Sequence, residues 1–459
     1  MNLQRPIGEP RLAGPEAPEK PLPFFKSIKL AQQNVMATIP RVAYSEPIWQ
    51  SGAAFGNAVL VSDPAGVKHV LLDNVANYPK ADMERLILGA AFGEGLLTLE
   101  GEKWRGHRRI MSPSFDFRSL VSYTPAMLSH VDAYAEKWKE RGNGAAIDVA
   151  EEMTKLTLRI VARTMFSANA DDLEDLVGGT LARGQDMLTF SLLDVLPLIG
   201  PWHMQRTVKR VQRAFSALDT AMYPLIDART KVEGAPRDLL DRLIAARDSE
   251  TGAAMDRREV RDEVVIIFLA GHETTAVALT FIWYLLSQHP EAEAKLHAEL
   301  AEVLGGRTPV YEDIAKLPYT RMVIEEAMRL YPPAPALATR QANEADTICG
   351  TPVKKRQMVV VLPWVLHRHE KLWDDPQRFD PERFSPERGA GRPRFAYLPF
   401  GGGPRICIGA QLALIETTLI LATLAQHFRL RLAPGAQIDL QSRVTLRPVG
   451  GMPMILERR

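Results

Sequence analysis

Between positions 264 and 286 the chain is almost continuously apolar, and no other stretch restricts the fold so strongly. The helical pattern around it runs from Arg257 to Gln288 and stops at His289-Pro290, where proline disfavours further helix. Roughly thirty residues at ~1.5 Å rise make a rod of about 45 Å, long enough to cross a bilayer. His272 and Glu273 sit near its middle with Thr274, Thr275 and Thr280 around them, and charge at bilayer depth is expensive. The expectation is therefore a helix buried across the full width of a large globular core.

Composition can supply that core: 46% of the 459 residues are hydrophobic. Charge is nearly balanced, 56 basic against 55 acidic residues, which gives no support for nucleic acid as the main partner and leaves any electrostatic docking local. The two cysteines, Cys349 and Cys407, form neither a CxxC pair nor a secretory framework, so a disulfide-free cytoplasmic protein is expected. The lead, residues 1–23, is polar and proline-rich, with neither a signal-peptide core nor a membrane anchor.

Residues 58–61 have the pattern of a strand, and residues 64–72 that of a helix. From about residue 102 to 301 the periodicity is helical, with breaks near 142–144, 178, 197–201 and 234–236. A helix over 318–331 ends at Pro332-Pro333, short strands follow at 337–340 and 358–362, and residues 444–453 predict a hairpin around Gly450-Gly451. No repeat or linker divides the chain, so residues 1–459 are expected to form one mainly α unit with a small β region.

Phe400-Gly401-Gly402-Gly403-Pro404-Arg405-Ile406-Cys407-Ile408-Gly409-Ala410 sets one cysteine directly before the apolar helical run 411–428. The positive end of a helix dipole favours thiolate, the form that ligates metal. Gly401, Gly402, Gly403 and Gly409 would let a bulky flat group approach the backbone, and Arg405 could hydrogen-bond a carboxylate on it. Together these features describe a haem iron held by a cysteine thiolate, a ligand that favours cleavage of dioxygen. A buried structural cysteine after a tight turn is the plain alternative.

Ala270-Gly271-His272-Glu273-Thr274-Thr275 gives room on one helix face and puts an acid next to a hydroxyl. Cleaving dioxygen needs protons, and a Thr hydroxyl supplied by an acid suits that task. The plain alternative for Thr274 is a bond back to the carbonyl one turn earlier. A His-Glu-x-x-His zinc site is excluded because residue 276 is Ala. Glu326 and Arg329 stand three apart on one helix face, a pair worth only tenths of a kcal/mol if exposed. Trp104 and Arg108 place an indole donor and a cation one turn apart, which would also describe a basic surface helix anchored by Trp.

Taken in order, these four motifs resemble the cytochromes P-450, with Phe400, Gly403, Arg405, Cys407 and Gly409 at the positions of that family's haem loop. The resemblance covers most of the chain from residue 100 onward and implies a long central helix over a b-type haem. By that resemblance Cys407 is the axial iron ligand, and Trp104, Arg108, Arg405 and Arg340 hold the haem propionates. Phe400, Gly401 and Gly409 belong to the haem loop, Ala270 and Gly271 line the dioxygen groove, and Thr274 and Glu273 steer protons. Glu326, Arg329 and Arg383 would form a buried structural network. Arg105 and Arg109 would remain on the cysteine side for an acidic electron-transfer protein.

The implied reaction inserts one atom of dioxygen into an apolar substrate by hydroxylation or epoxidation. NAD(P)H would serve only indirectly, through a ferredoxin and its reductase or a flavodoxin-type donor, and the protein would be a monomer. Leu97, Ala270, Ala334, Ala336, Leu337 and Val444 would line the pocket. Within the family the chain is most similar to the bacterial fatty-acid hydroxylases, yet residues 56–62 lack the Arg and Tyr that hold a fatty-acid carboxylate there. A terpene or steroid-like substrate therefore stands beside a fatty acid. A haem-thiolate peroxygenase or isomerase would share the cysteine loop but not the acid-alcohol pair, and a haem sensor would turn over nothing.

Overall fold

The long apolar helix forms with the bounds expected, Arg257–Gln288. Asp256 accepts the Glu259 N–H, and the Glu259 carboxylate accepts the Asp256 N–H, a reciprocal cap for its first turn. His289 closes it, and Pro290 opens the next helix, Pro290–Leu304. Its centre is buried on nearly every side, which is why its composition imitates a membrane span. The heaviest packing is on Val149–Phe166, and the tightest approach is at Gly271, where a Cβ would lie 3.2 Å from Val161.

The computed structural model describes residues 12–52, 57–168, 200–230, 238–336 and 338–459. The breaks expected at 178, 197–199 and 234–236, and the pocket residue Leu337, lie outside them. Helices Pro318–Leu330 and Ala410–His427 pack on the central helix and on each other, and Phe117–Arg141 packs on Ala410–His427 and Val149–Phe166. The helix expected at 64–72 begins as Pro64–Lys68 and continues as a π turn, His69–Asp73.

Small sheets flank this bundle. One has the order Ile48–Gln50, Val59–Val61, Met358–Val361, Ala338–Gln341, with its middle pair parallel and the outer pairs antiparallel. Another sets Pro453–Arg458 between Ala145–Asp148 and Phe428–Leu432, all antiparallel.

The hairpin expected around Gly450-Gly451 does not form. Leu440–Ser442 pairs with Leu446–Pro448 through a tight turn at 443–445, and the chain then crosses to a different sheet before Pro453–Arg458. Gly451 has φ +91°, and a Cβ there would collide with the Asp148 carboxylate, which accepts the Met452 N–H. The two glycines therefore redirect the chain between sheets rather than closing a hairpin.

Candidate haem site

The Cys407 N–H donates to Phe400 O at 2.9 Å and closes the glycine-rich loop. Gly401 and Gly403 have φ +80° and +69°, and a Cβ on Gly403 would collide with the Leu71 carbonyl. A Cβ on Gly402 would come 3.0 Å from the Phe395 ring. Gly402 and Gly403 thus also seat the loop on the protein behind it. Gly409 differs: a Cβ there would meet only Phe115 and the Cys407 sulfur, at the ordinary contact distances of 3.9 and 4.0 Å.

Cys407 keeps accessible surface although protein atoms surround it, as for a side chain lining an interior cleft. Burial pushes its thiol up, while the Gly409 N–H and the Arg108 guanidinium pull it down and do not prevail. The protein field alone therefore does not yield the thiolate expected from the helix dipole. A metal cation at the sulfur would supply what is missing.

On the central helix, Ala270 is exposed and Gly271 and Thr274 are half-buried, although the residues around them are buried. Ala270 and Thr274, one turn apart, share this open face. The Thr274 hydroxyl donates to Ala270 O at 2.7 Å. Glu273 is buried and accepts from Arg447 Nε and Nη2 at 2.9 and 2.7 Å and from the Thr445 hydroxyl. The adjacent acid and alcohol thus point to different partners, as consecutive residues on a helix must. The Thr275 hydroxyl lies 3.4 Å from Glu416 Oε2 and joins the central helix to the helix that follows Cys407. Glu416 is pushed up to about 8 by burial, against the pull of that hydroxyl. Its one sequence signal is an acid within an apolar helix.

Arg405 stacks 4.3 Å above the Trp104 ring, donates to Leu99 O at 3.0 Å and pairs with Glu100. Arg340 is buried and its Nε has no partner among the described residues. Lys80 forms a β-bridge to Arg340, its amine is pushed down to about 8 chiefly by burial, and it stands 3.9 Å from Glu84. The unpartnered Arg340 Nε calls for a carboxylate, and a haem propionate fits it. Lys80 and Glu100 carried no sequence signal. Arg108 stands apart, donating to Ile406 O at 2.9 Å beside the sulfur. Arg105 is exposed and pairs with Glu102, whereas Arg109 is held by Asp248 and Glu250 at 2.8 and 3.1 Å.

Glu326 and Arg329 are fully buried and joined by two bonds of 2.6 and 2.8 Å. Arg329 also donates to the carbonyls of His367, Pro376 and Arg378, while Arg383 Nε lies 3.4 Å from Glu326. The His367 ring accepts the Leu398 N–H at 2.9 Å, two residues before Phe400. The network thus reaches the cysteine loop through a histidine that the motifs did not mark.

Among the expected pocket residues, Ala336 and Val444 are exposed and Leu97 and Ala334 half-buried, with Val444 on the 443–445 turn. A thiol in a cleft, a buried Arg340 with an unpartnered Nε beside Lys80 and Arg405, and an open helix face suit a metal cofactor that carries carboxylates.

The family model for cytochrome P-450 matches residues 15–452. Cyclooctatin synthase of Streptomyces melanosporofaciens is 38% identical over 376 residues, 80% of this chain and 79% of that protein. Cyclooctat-9-en-7-ol 5-monooxygenase of the same organism is 36% identical over 414 residues, 88% and 86% of the two chains. The solved heme domain of cytochrome P-450DA matches with TM-score 0.81 and 27% identity over 96% of this chain and 94% of that one. The chain belongs to the cytochrome P-450 family. It is a monooxygenase that uses haem b and dioxygen and takes its reducing equivalents from NAD(P)H through redox partners.

Proposed function

We propose that the protein hydroxylates or epoxidises a rigid apolar molecule of the terpene or steroid kind, with a fatty acid as the competing substrate class. Haem bound at Cys407 supplies the activation of dioxygen. Trp104, Arg405 and Arg340 hold its propionates, Arg108 supports the loop beside the sulfur, and Phe400, Gly401 and Gly409 shape that loop. Ala270 and Gly271 leave room on the central helix. Thr274 holds a proton at its hydroxyl, and Glu273, once turned from Arg447, passes protons towards it.

Leu97, Ala270, Ala334, Ala336, Leu337 and Val444 exclude water and orient the substrate by shape alone. Their apolar character carries the choice of substrate class, because no cation among them would anchor a carboxylate. A relative whose name specifies an unsaturated alcohol as its substrate supports the same choice. Electrons arrive from a ferredoxin with its reductase or a flavodoxin-type donor, to a monomer in the cytoplasm. Optical titration against terpenes, steroids and fatty acids tests the proposal. Polycyclic alcohols should displace iron-bound water at lower concentration than fatty acids, and the reverse order would overturn it.

A further inference from the structure

Residues 93–99 connect the helix Asp82–Phe92 to the helix Gly101–Met111 and carry Leu97. Two consecutive acids in the second turn of the central helix hold this loop by its backbone. Asp262 accepts the Glu94 N–H at 2.8 Å, and Glu263 Oε1 accepts the Leu96 N–H at 2.9 Å. His107, on the Trp104 helix, brings Nδ1 to 2.7 Å from the same Glu263 oxygen. Asp262, Glu263 and His107 are all at least nine-tenths buried.

The glycines of the loop are fitted to these carboxylates. Gly93 has φ +81°, and a Cβ there would collide with the Asp262 carboxyl. A Cβ on Gly95 would meet Glu263 at 2.9 Å and Ile266 at 2.6 Å. Inside the loop Thr98 accepts the Gly95 N–H at 3.0 Å and donates to Gly93 O at 2.7 Å, which ties residues 93–98 to one another. Buried charge is costly, and an apolar helix face would cover a loop at less expense. Asp262 also pairs with Arg261 at 2.8 Å, and His107 backs Glu263, so two buried carboxylates hold the backbone of one loop from a fixed frame.

We propose that Asp262, Glu263 and His107 are positioning residues that set how far Leu97 enters the substrate cavity, and thereby determine the bulk of apolar substrate the enzyme accepts. The proposal rests on the placement of Leu97 in that cavity. Loosening the latch lets Leu97 withdraw and favours wider molecules over narrow ones.

The test uses the haem-loaded protein and its Glu263→Gln, Asp262→Asn and Leu97→Ala variants. Amide hydrogen exchange over residues 94–99 should be about tenfold faster in Glu263→Gln, the factor expected from losing one charge-assisted hydrogen bond. Optical titration with cedrol and dodecanol should show the affinity ratio moving towards cedrol in Glu263→Gln, in the same direction as in Leu97→Ala. Unchanged exchange overturns the latch. Equal weakening of both ligands with a lower Tm reduces Glu263 to a structural role and overturns it too. An unaltered ratio in Leu97→Ala removes Leu97 from the cavity and overturns that placement instead. Should Glu263→Gln not fold, Asp262→Asn carries the same two measurements, since it leaves the Glu263 anchor in place.

Discussion

Replacing Arg329 by Met keeps most of the side-chain volume and removes the charge. The guanidinium is wholly buried and makes two bonds to Glu326 and three to the carbonyls of His367, Pro376 and Arg378. After substitution Glu326 keeps the Asp380 N–H at 3.0 Å and Arg383 Nε at 3.4 Å, so its charge is only partly stranded. Breaking a buried pair costs about 3–5 kcal/mol, and these residual partners put the change near the lower bound. Against a total stability of about 5–15 kcal/mol, a loss of that size weakens the whole fold. Urea unfolding followed by both tryptophan fluorescence and Soret absorbance measures it. Because His367 links the network to Leu398, the Soret signal should be lost at lower urea than the fluorescence. Lys355→Ala, which breaks the exposed pair with Glu344, is the control and should cost less than about 1 kcal/mol. A similarly small loss for Arg329→Met would refute the reasoning.

Glu416 stands at about 8 in the folded protein against an ordinary 4.5, so its contribution to stability is complete below pH 4.5 and is lost as pH rises through 8. Glu416→Gln should flatten that slope in thermal melts across this range, and an unaltered slope would exclude a neutral buried carboxyl. His297 has neither ring nitrogen partnered among the described residues and is pushed down from 6.5 to about 3 chiefly by burial, so it costs stability as pH falls below 6.5. His297→Leu should raise Tm and shift the acid transition to lower pH; a lower Tm would show that the ring has a partner after all. Arg447→Met removes two bonds to Glu273 and frees its carboxylate to turn, so the product formed per electron pair consumed should change. Unchanged coupling would take Glu273 out of the proton path.

The central helix was legible because one apolar run and one proline fix its course locally. Glu326 and Arg329 were legible for the same reason, being three apart on one helix. What escaped depends on contacts distant in sequence: His367 meets Leu398, Lys80 meets Arg340, and Glu263 meets Leu96 and His107. The hairpin at 444–453 failed because a strand's partner is a tertiary choice, and Pro453–Arg458 found two better partners in another sheet. A second cause for Gly403 was not legible, since the Leu71 carbonyl that demands it lies far upstream. The adjacency of Glu273 and Thr274 suggested a shared task, whereas the helix turns their side chains apart.

The sulfur of Cys407 as iron ligand is the claim on which the account depends, and the optical spectrum of the dithionite-reduced protein under carbon monoxide tests it most directly. The haem-loaded protein should show the red-shifted Soret band of a thiolate-ligated ferrous haem, and Cys407→His should retain haem but lose that band. A wild-type spectrum without the band, or its persistence in Cys407→His, would contradict the assignment.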